Sequence, residues 1–314
     1  MQSSVKAIGL KIRTMGKNQT SQSARIRTPE QAHLNNAVND GTVMLSHGYC
    51  LAHKLGSGSY SKVRMAVHKT TRKRVAVKII DRRRAPRDYQ DHFLPRELAV
   101  IRQLQHPNVL RTYEWFEQNQ KVYMVLELAE SGDVLEYIRT VTKGSVPEVL
   151  ARKWSLQTGR ALLYMHEMDV AHRDVKCENL LLDRCNNIKL TDFGFVRSVG
   201  KGSLSKTYCG SAAYAAPEII RSVPYCPFKS DVWAFGVVIY ILVVGCMPFG
   251  DDVKNIKKIL HQQYSGAHFN ASNSTNVRDE CRDLIRSMLT ISTKTRLALG
   301  EVMESEWLNQ VQIS

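Results

Sequence analysis

The sequence carries His172-Arg173-Asp174-Val175-Lys176-Cys177-Glu178-Asn179, then Asp192-Phe193-Gly194, then Ala216-Pro217-Glu218. Together these residue types suit phosphoryl transfer. That chemistry needs a carboxylate beside the incoming hydroxyl, hard oxygen ligands for magnesium and a cation on the phosphates, because it runs mainly on positioning and charge stabilisation. Asp174, Asn179, Asp192 and Lys78 supply those types. One such triplet arises by chance; the ordered set, each part in a fitting strand, helix or loop context, does not.

Two upstream features belong with this set. Leu55-Gly56-Ser57-Gly58-Ser59-Tyr60-Ser61-Lys62-Val63 is a glycine-containing turn between two strand-like runs. Its glycines let backbone N–H groups approach phosphate oxygens, although an ordinary Gly/Ser hairpin turn reads the same. A strand on each side excludes a dinucleotide-binding fold, which needs a helix after the turn. Lys78 ends the apolar run Val75-Ala76-Val77. A lysine there meets a paired acid or a polyphosphate, or else snorkels to the surface. Glu97 is the natural acid.

The elements that must position these residues differ between the two parts of the chain. Short β-rich runs at 49–55, 62–68, 74–80, 111–116 and 121–128 predict antiparallel strands, interrupted between Gln90 and Leu104 by one helix with Leu94, Leu98 and Ile101 on a face. After Gly132 the pattern turns helical: Leu150, Trp154, Ala161, Leu162 and Met165 mark an amphipathic helix, and Asp231 opens one that is apolar all round. The fold class is therefore α+β with two lobes, and ligand sites favour the crevice between such units.

The chain has 314 residues, 44 Lys+Arg against 29 Asp+Glu and a formal net charge of +15, with ordinary globular composition. Residues 1–47 are polar and basic, with no acid before Glu30, and read as a flexible arm; a mitochondrial transit peptide has a similar composition. No secretory signal is visible, and Gln2 excludes myristoylation there. The apolar stretch Phe235–Met247 is short for a membrane span and reads as a core helix. Seven scattered cysteines without a C-x-x-C pair indicate neither a disulfide framework nor a zinc site, and favour a reducing, cytoplasmic setting.

On these motifs the chain resembles the protein kinase superfamily over residues 49–308, and is similar to its serine/threonine branch through Lys176 and Ser211. A Ser211 hydroxyl would bridge Lys176 and Asp174. The resemblance implies a bilobal kinase fold, with a small antiparallel-sheet N-lobe over 48–129, a mainly helical C-lobe over 130–308 and a short tail over 309–314. It implies that the turn from Leu55 through Gly56, Ser57, Gly58, Ser59, Tyr60, Ser61 and Lys62 to Val63 covers ATP, and that Lys78 binds its phosphates while pairing with Glu97. Asp174 accepts the substrate hydroxyl proton, Lys176 neutralises the moving phosphate, Asn179 and Asp192 hold Mg2+, and Phe193 stacks under the helix bearing Glu97. Leu126 matches the gatekeeper, Glu127 and Ala129 offer adenine their backbone groups, Val63, Ala76 and Leu181 sandwich the ring, and Asp133 serves the ribose. Asp231, Trp233 and a Glu218–Arg296 ion pair are implied fold anchors. Two positions depart from the pattern: Ser61 stands for the third loop glycine and Val175 for the usual leucine.

Regulation and substrate follow from the same resemblance. Phe195–Ala215 is the activation loop, and Thr207 carries the activating phosphate, a partner for Arg173; Ser203, Ser205 and Thr207 are otherwise merely polar loop residues. An upstream kinase or autophosphorylation would add that phosphate. Lys78-Ile-Ile-Asp-Arg-Arg-Arg-Ala-Pro, His92-Phe-Leu-Pro-Arg-Glu97 and Lys206-Thr-Tyr-Cys-Gly-Ser211 look like the testis-specific serine/threonine kinases. That family implies a role in spermatid differentiation and dependence on the heat-shock protein 90 chaperone. The short stretch after Leu308 leaves calcium control unexpected. Glu178 and Asp133 suggest protein substrates with arginine three residues before the acceptor, Ile241 argues against denser basic motifs, and Phe195 favours serine over threonine. Two other classes compete: a kinase-like scaffold without catalysis, and a basic nucleic-acid binder. The first is opposed by the presence of Lys78, Asp174, Asn179 and Asp192; the second by an arm without interleaved aromatics, which leaves no specific nucleic-acid partner.

Overall fold

A computed structural model describes residues 40–200, 203–250, 255–269 and 277–310. The described chain divides into two compact units: residues up to Gln90 with Thr112–Leu128, and Asp91–Arg111 with the residues from Ala129 on.

The first unit is a five-stranded antiparallel sheet in the order β1-β2-β3-β5-β4, built from β1 (Tyr49–Ser57), β2 (Ser61–His68), β3 (Arg74–Asp81), β4 (Thr112–Gln118) and β5 (Lys121–Leu126). All five strands lie within a few residues of the runs read from the sequence. Their register decides which side chains share a face, because side chains alternate with period two. Val63 pairs with Lys78 and Lys78 with Met124, so these lie on one face with Ala76 and Leu126. Lys62 pairs with Ile79 and Ile79 with Tyr123, which places that row on the other.

That second face is covered by a helix, α1, over residues 40–46. Val43 and Met44 are buried in a core cluster with Ala66, Val77, Ile79, Tyr123 and Val125. The flexible-arm reading is thus corrected for the arm's last residues, and residues 1–39 lie outside the described residues. Averaged over 47 residues, the composition conceals the apolar pair Val43-Met44, whose burial offsets the cost of ordering it. Gly48, at φ +86°, ends the helix in the left-handed conformation that glycine adopts without a Cβ penalty.

The second unit opens with α2 (Leu94–Ile101), which buries Leu94, Leu98 and Ile101 as its spacing predicts and follows a π-helical turn, Tyr89–Phe93. Then come α3 (Val134–Tyr137), α4 (Glu148–Glu167), α5 (Pro217–Ile220) and α6 (Pro227–Val244), followed by α7 (Ile256–Ser265), α8 (Asp279–Met288), α9 (Leu299–Met303) and α10 (Glu306–Asn309). α6 starts at Pro227 rather than at Asp231, because proline at the first turn gives up no hydrogen bond. By length and composition alone it could cross a membrane, yet 83% of it is buried in the protein: it is the core helix on which α4 and α8 pack. The helical reading missed two small sheets: β6 (Val170–Ala171) with β9 (Arg197–Ser198), and the hairpin β7 (Leu180–Leu182) with β8 (Ile188–Leu190). Strands of two or three residues are too short to show a period.

Candidate active site

The hairpin β7–β8 does the first positioning. Leu180 pairs with Leu190, so Asn179, just before one strand, and Asp192, just after the other, leave the hairpin at the same end. The Thr191 N–H donates to the Asn179 carbonyl at 3.0 Å, which fixes the two segments side by side. The second anchor is Asp231, buried in α6. Its carboxylate accepts the backbone N–H groups of His172 and Arg173, each at 2.8 Å, and lies 3.0 Å from His166 Nε2. These bonds hold Arg173 in a left-handed conformation, φ +65°, that a non-glycine residue adopts only when its surroundings impose it.

Asp174 is buried at the centre. Lys176 Nζ donates to its Oδ2 at 2.6 Å, and Asn179 Nδ2 donates to the same oxygen at 3.1 Å and to the Asp174 carbonyl at 2.8 Å. The Ser211 hydroxyl donates to Asp174 Oδ1 at 3.1 Å and accepts from Lys176 Nζ at 3.0 Å, the bridge anticipated from the sequence. The Ser211 N–H adds a third contact at 3.0 Å. A carboxylate so held keeps one orientation, as a group that must meet an incoming hydroxyl requires.

Asn179 uses its amide N–H for Asp174, leaving Oδ1 as an acceptor, and Asp192 adds a carboxylate. Among the described residues no cluster of three or more His, Cys, Asp or Glu could hold a metal. Two hard oxygens at one hairpin end nevertheless fit Mg2+, which binds through one or two side chains and takes its other ligands from phosphates and water. Glu97 is buried beside this end: a Cβ on Gly194 would stand 3.7 Å from Glu97 Oε2 and 3.6 Å from Asp192 Oδ1. Phe193, also buried, meets the His172 ring edge-on at 5.5 Å. Asp133 caps α3 by accepting the Glu136 N–H at 2.8 Å, and burial pushes its carboxyl pKa up. Its backbone bridges to Leu181, so these two residues stand together.

In the first unit, Gly56 to Val63 form the end of β1, a tight turn and the start of β2, with the Gly58 N–H on the Ser61 carbonyl at 2.9 Å. The side chains of Val63, Ala76 and Lys78 share a face. Lys62 does not join them: its side chain lies on the opposite face, paired with Asp40, so only its backbone belongs to the turn.

A protein kinase domain model matches residues 49–308. The chain is 45% identical over 277 residues to testis-specific serine/threonine-protein kinase 1 of Mus musculus, covering 86% of this chain and 74% of that protein. It is 42% identical over 268 residues to kinase 3 of that series from Mus musculus (84% and 97% covered) and 39% identical over 287 residues to kinase 4 from Homo sapiens (86% and 85% covered). The chain belongs to the protein kinases, among the testis-specific serine/threonine type. It is a serine/threonine protein kinase, acting on ATP and protein substrates.

The fold anchors of the kinase stand where the sequence put them: Arg296 clasps Glu218 through two bonds, 2.6 and 2.9 Å, and its guanidinium lies over the Trp233 ring at 4.9 Å. Arg173, beside Asp174, reaches the activation segment: its Nε donates to the Phe195 carbonyl at 2.7 Å. Arg173 Nη1 and Arg197 Nη1 then converge on the buried hydroxyl of Ser205, at 3.4 and 3.0 Å. Thr207, two residues on, is exposed; its N–H donates to Ser205 Oγ at 3.3 Å and its carbonyl accepts from the Tyr225 hydroxyl at 3.0 Å. Ser205, read as a polar loop residue, is therefore an anchor of the segment, and its backbone pairs with Tyr225. Arg197 was missed as well; an arginine five residues after Asp192 was the available signal. Glu178, singled out for substrate arginine, accepts a hydrogen bond from the Tyr214 hydroxyl at 3.2 Å.

Proposed function

We propose that the kinase transfers the γ-phosphate of Mg·ATP to serine, less often threonine, and that phosphorylation of Thr207 activates it. The Asp174–Lys176–Ser211 triangle is the observation that carries the catalytic part: one oriented carboxylate, with a cation and a hydroxyl locked to it. Asp174 takes the substrate hydroxyl's proton while Lys176 faces the transferring phosphoryl group. Asn179 Oδ1 and Asp192 hold Mg2+, which when bound supplies charge neutralisation at the phosphates. Lys78 engages the α- and β-phosphates, and the backbone of the turn Gly56–Ser61 offers N–H groups to the nucleotide.

A phosphate on exposed Thr207 stands two residues from Ser205, where Arg173 and Arg197 already converge, and supplies charge-assisted acceptors to those arginines. Arginine three residues before the acceptor is the preferred substrate feature, recognised by Glu178 and Asp133. The names of these relatives support a testis setting and, with it, a part in spermatid differentiation. The free cysteines agree with a cytoplasmic location, and the heat-shock protein 90 chaperone is a proposed partner. A positional peptide library assayed with labelled Mg·ATP, with phosphate mapping on the kinase itself, tests these points. The reading requires enrichment of arginine at that position, serine over threonine, and loss of activity in Thr207→Ala; a flat library or a fully active Thr207→Ala overturns the corresponding part.

A further inference from the structure

We infer that Asp40 is a positioning residue for the nucleotide loop, acting through Lys62. Asp40 is fully buried, and its carboxylate joins three partners from two strands: Lys62 of β2 by an ion pair, Lys121 of β5 at 2.8 Å and the Tyr123 hydroxyl at 2.8 Å. Lys62 and Tyr123 belong to one cross-strand row on the face that α1 covers. Lys62 also pairs in register with Ser57, across the base of the glycine turn. Its flanking residues Ser61 and Val63 point to the other face, where Lys78 and Ala76 lie. Fixing the Lys62 side chain on one face therefore fixes its neighbours on the other, since the strand's alternation is rigid.

The tether adds a side-chain hold at the base of a turn whose tip is held by the Tyr60 carbonyl on the Asp81 N–H at 2.9 Å and by the Tyr60 ring against Tyr89 at 4.7 Å. Gly56 and Gly58 carry no side chain to pack, residues 61–65 of β2 are only half-buried, and β1 is irregular against β2 between Leu51 and Gly56. A loop that is already ordered loses less entropy on closing over a ligand. Asp40 draws its own order from α1: Val43 and Met44 pack into the sheet core, and His47 stacks on Phe116 at 3.6 Å. The segment just before the catalytic domain thus forms part of the nucleotide-loop support.

This inference rests on the kinase reading of the turn, and the test separates the two. Native-state hydrogen exchange without nucleotide and calorimetric binding of Mg·ATP are measured on wild type, Asp40→Asn, Lys62→Met, their double variant and Lys121→Met. Asp40→Asn and Lys62→Met are expected to speed exchange across Ser57–Val63 and to weaken Mg·ATP binding about fivefold, with the double variant no worse than either single one. Lys121→Met leaves the Asp40–Lys62 pair in place; it should lower the melting temperature but keep the loop's exchange and the affinity within about twofold of wild type. A merely structural role predicts the opposite pattern, in which melting falls in every variant while loop exchange and affinity do not separate them, and that result overturns the inference. If Asp40→Asn does not fold, Lys62→Met decides alone: unchanged loop exchange refutes the tether. Wild type that fails to bind Mg·ATP would count against the nucleotide reading, while the exchange data still judge the tether.

Discussion

Ser211 is where the catalytic geometry is most open to a single-atom test, because its hydroxyl both donates to Asp174 and accepts from Lys176. Removing that oxygen leaves the carboxylate and the ammonium in place but frees their relative orientation. Ser211→Ala should lower kcat about tenfold, the worth of one hydrogen bond in the transition state, with KM for ATP unchanged, and Ser211→Thr should restore it. Steady-state kinetics in both substrates check this split. The bridge was legible in the sequence because its three members sit in motifs whose chemistry demands them. Asp40 was not legible, although a hint existed: Lys121 opens a strand whose next five residues are all apolar and buried, and a buried lysine needs an acid. Nothing in the spacing says that this acid lies 81 residues upstream. The face of Lys62 was hidden for a related reason: its place in the turn is visible in the sequence, but the side its side chain takes depends on a register that only the sheet defines.

At the scale of elements, the activation segment is pinned against the catalytic loop by close backbone contact. Gly210, at φ +89°, leaves room so tight that a Cβ there would meet the Arg173 carbonyl at 2.5 Å. Gly210→Ala must therefore shift the segment away from Asp174, and with it the Ser211 contacts. We expect kcat to fall more than about tenfold while the far-UV circular dichroism stays that of wild type. The Glu218–Arg296 clasp behaves differently, since it touches no reacting group. Both side chains are buried, so Glu218→Gln leaves a guanidinium without its countercharge and should cost about 3–5 kcal/mol in denaturant unfolding, with residual activity scaling with the folded fraction. The large elements could be read from sequence because their periods run over many residues. The hairpin β7–β8 could not, yet it sets Asn179 and Asp192 side by side. Its three-residue strands are stabilised by tertiary contacts such as Asn108 Nδ2 on the Ile188 carbonyl at 3.0 Å, which no local pattern encodes.

For the whole molecule, the Asp40 cluster gives stability a specific pH signature. Burial alone would raise the Asp40 pKa, but hydrogen bonds from Lys121, Lys62 and Tyr123 outweigh it and hold the carboxyl below its ordinary 3.8. The neighbouring Asp81 is held low in the same way, mainly by its bond to Arg83. A depressed carboxylate contributes stability that is fully present above its unfolded pKa and is lost as pH falls through the folded value. The stability difference between wild type and Asp40→Asn should therefore be constant from about pH 8 to pH 5 and shrink below about pH 4. Urea unfolding across that range checks it, and a difference that persists unchanged at about pH 3 would show that Asp40 does not titrate as the paired carboxylate. What the assembled kinase does is read by transfer of labelled γ-phosphate from Mg·ATP to an Arg-x-x-Ser peptide. Wild type should phosphorylate the serine, and folded Asp174→Asn and Lys78→Met should each lose at least ~100-fold in kcat/KM. Wild type phosphorylated on Thr207 that transfers no faster than those two variants would rule out phosphoryl transfer by Asp174 and Lys78.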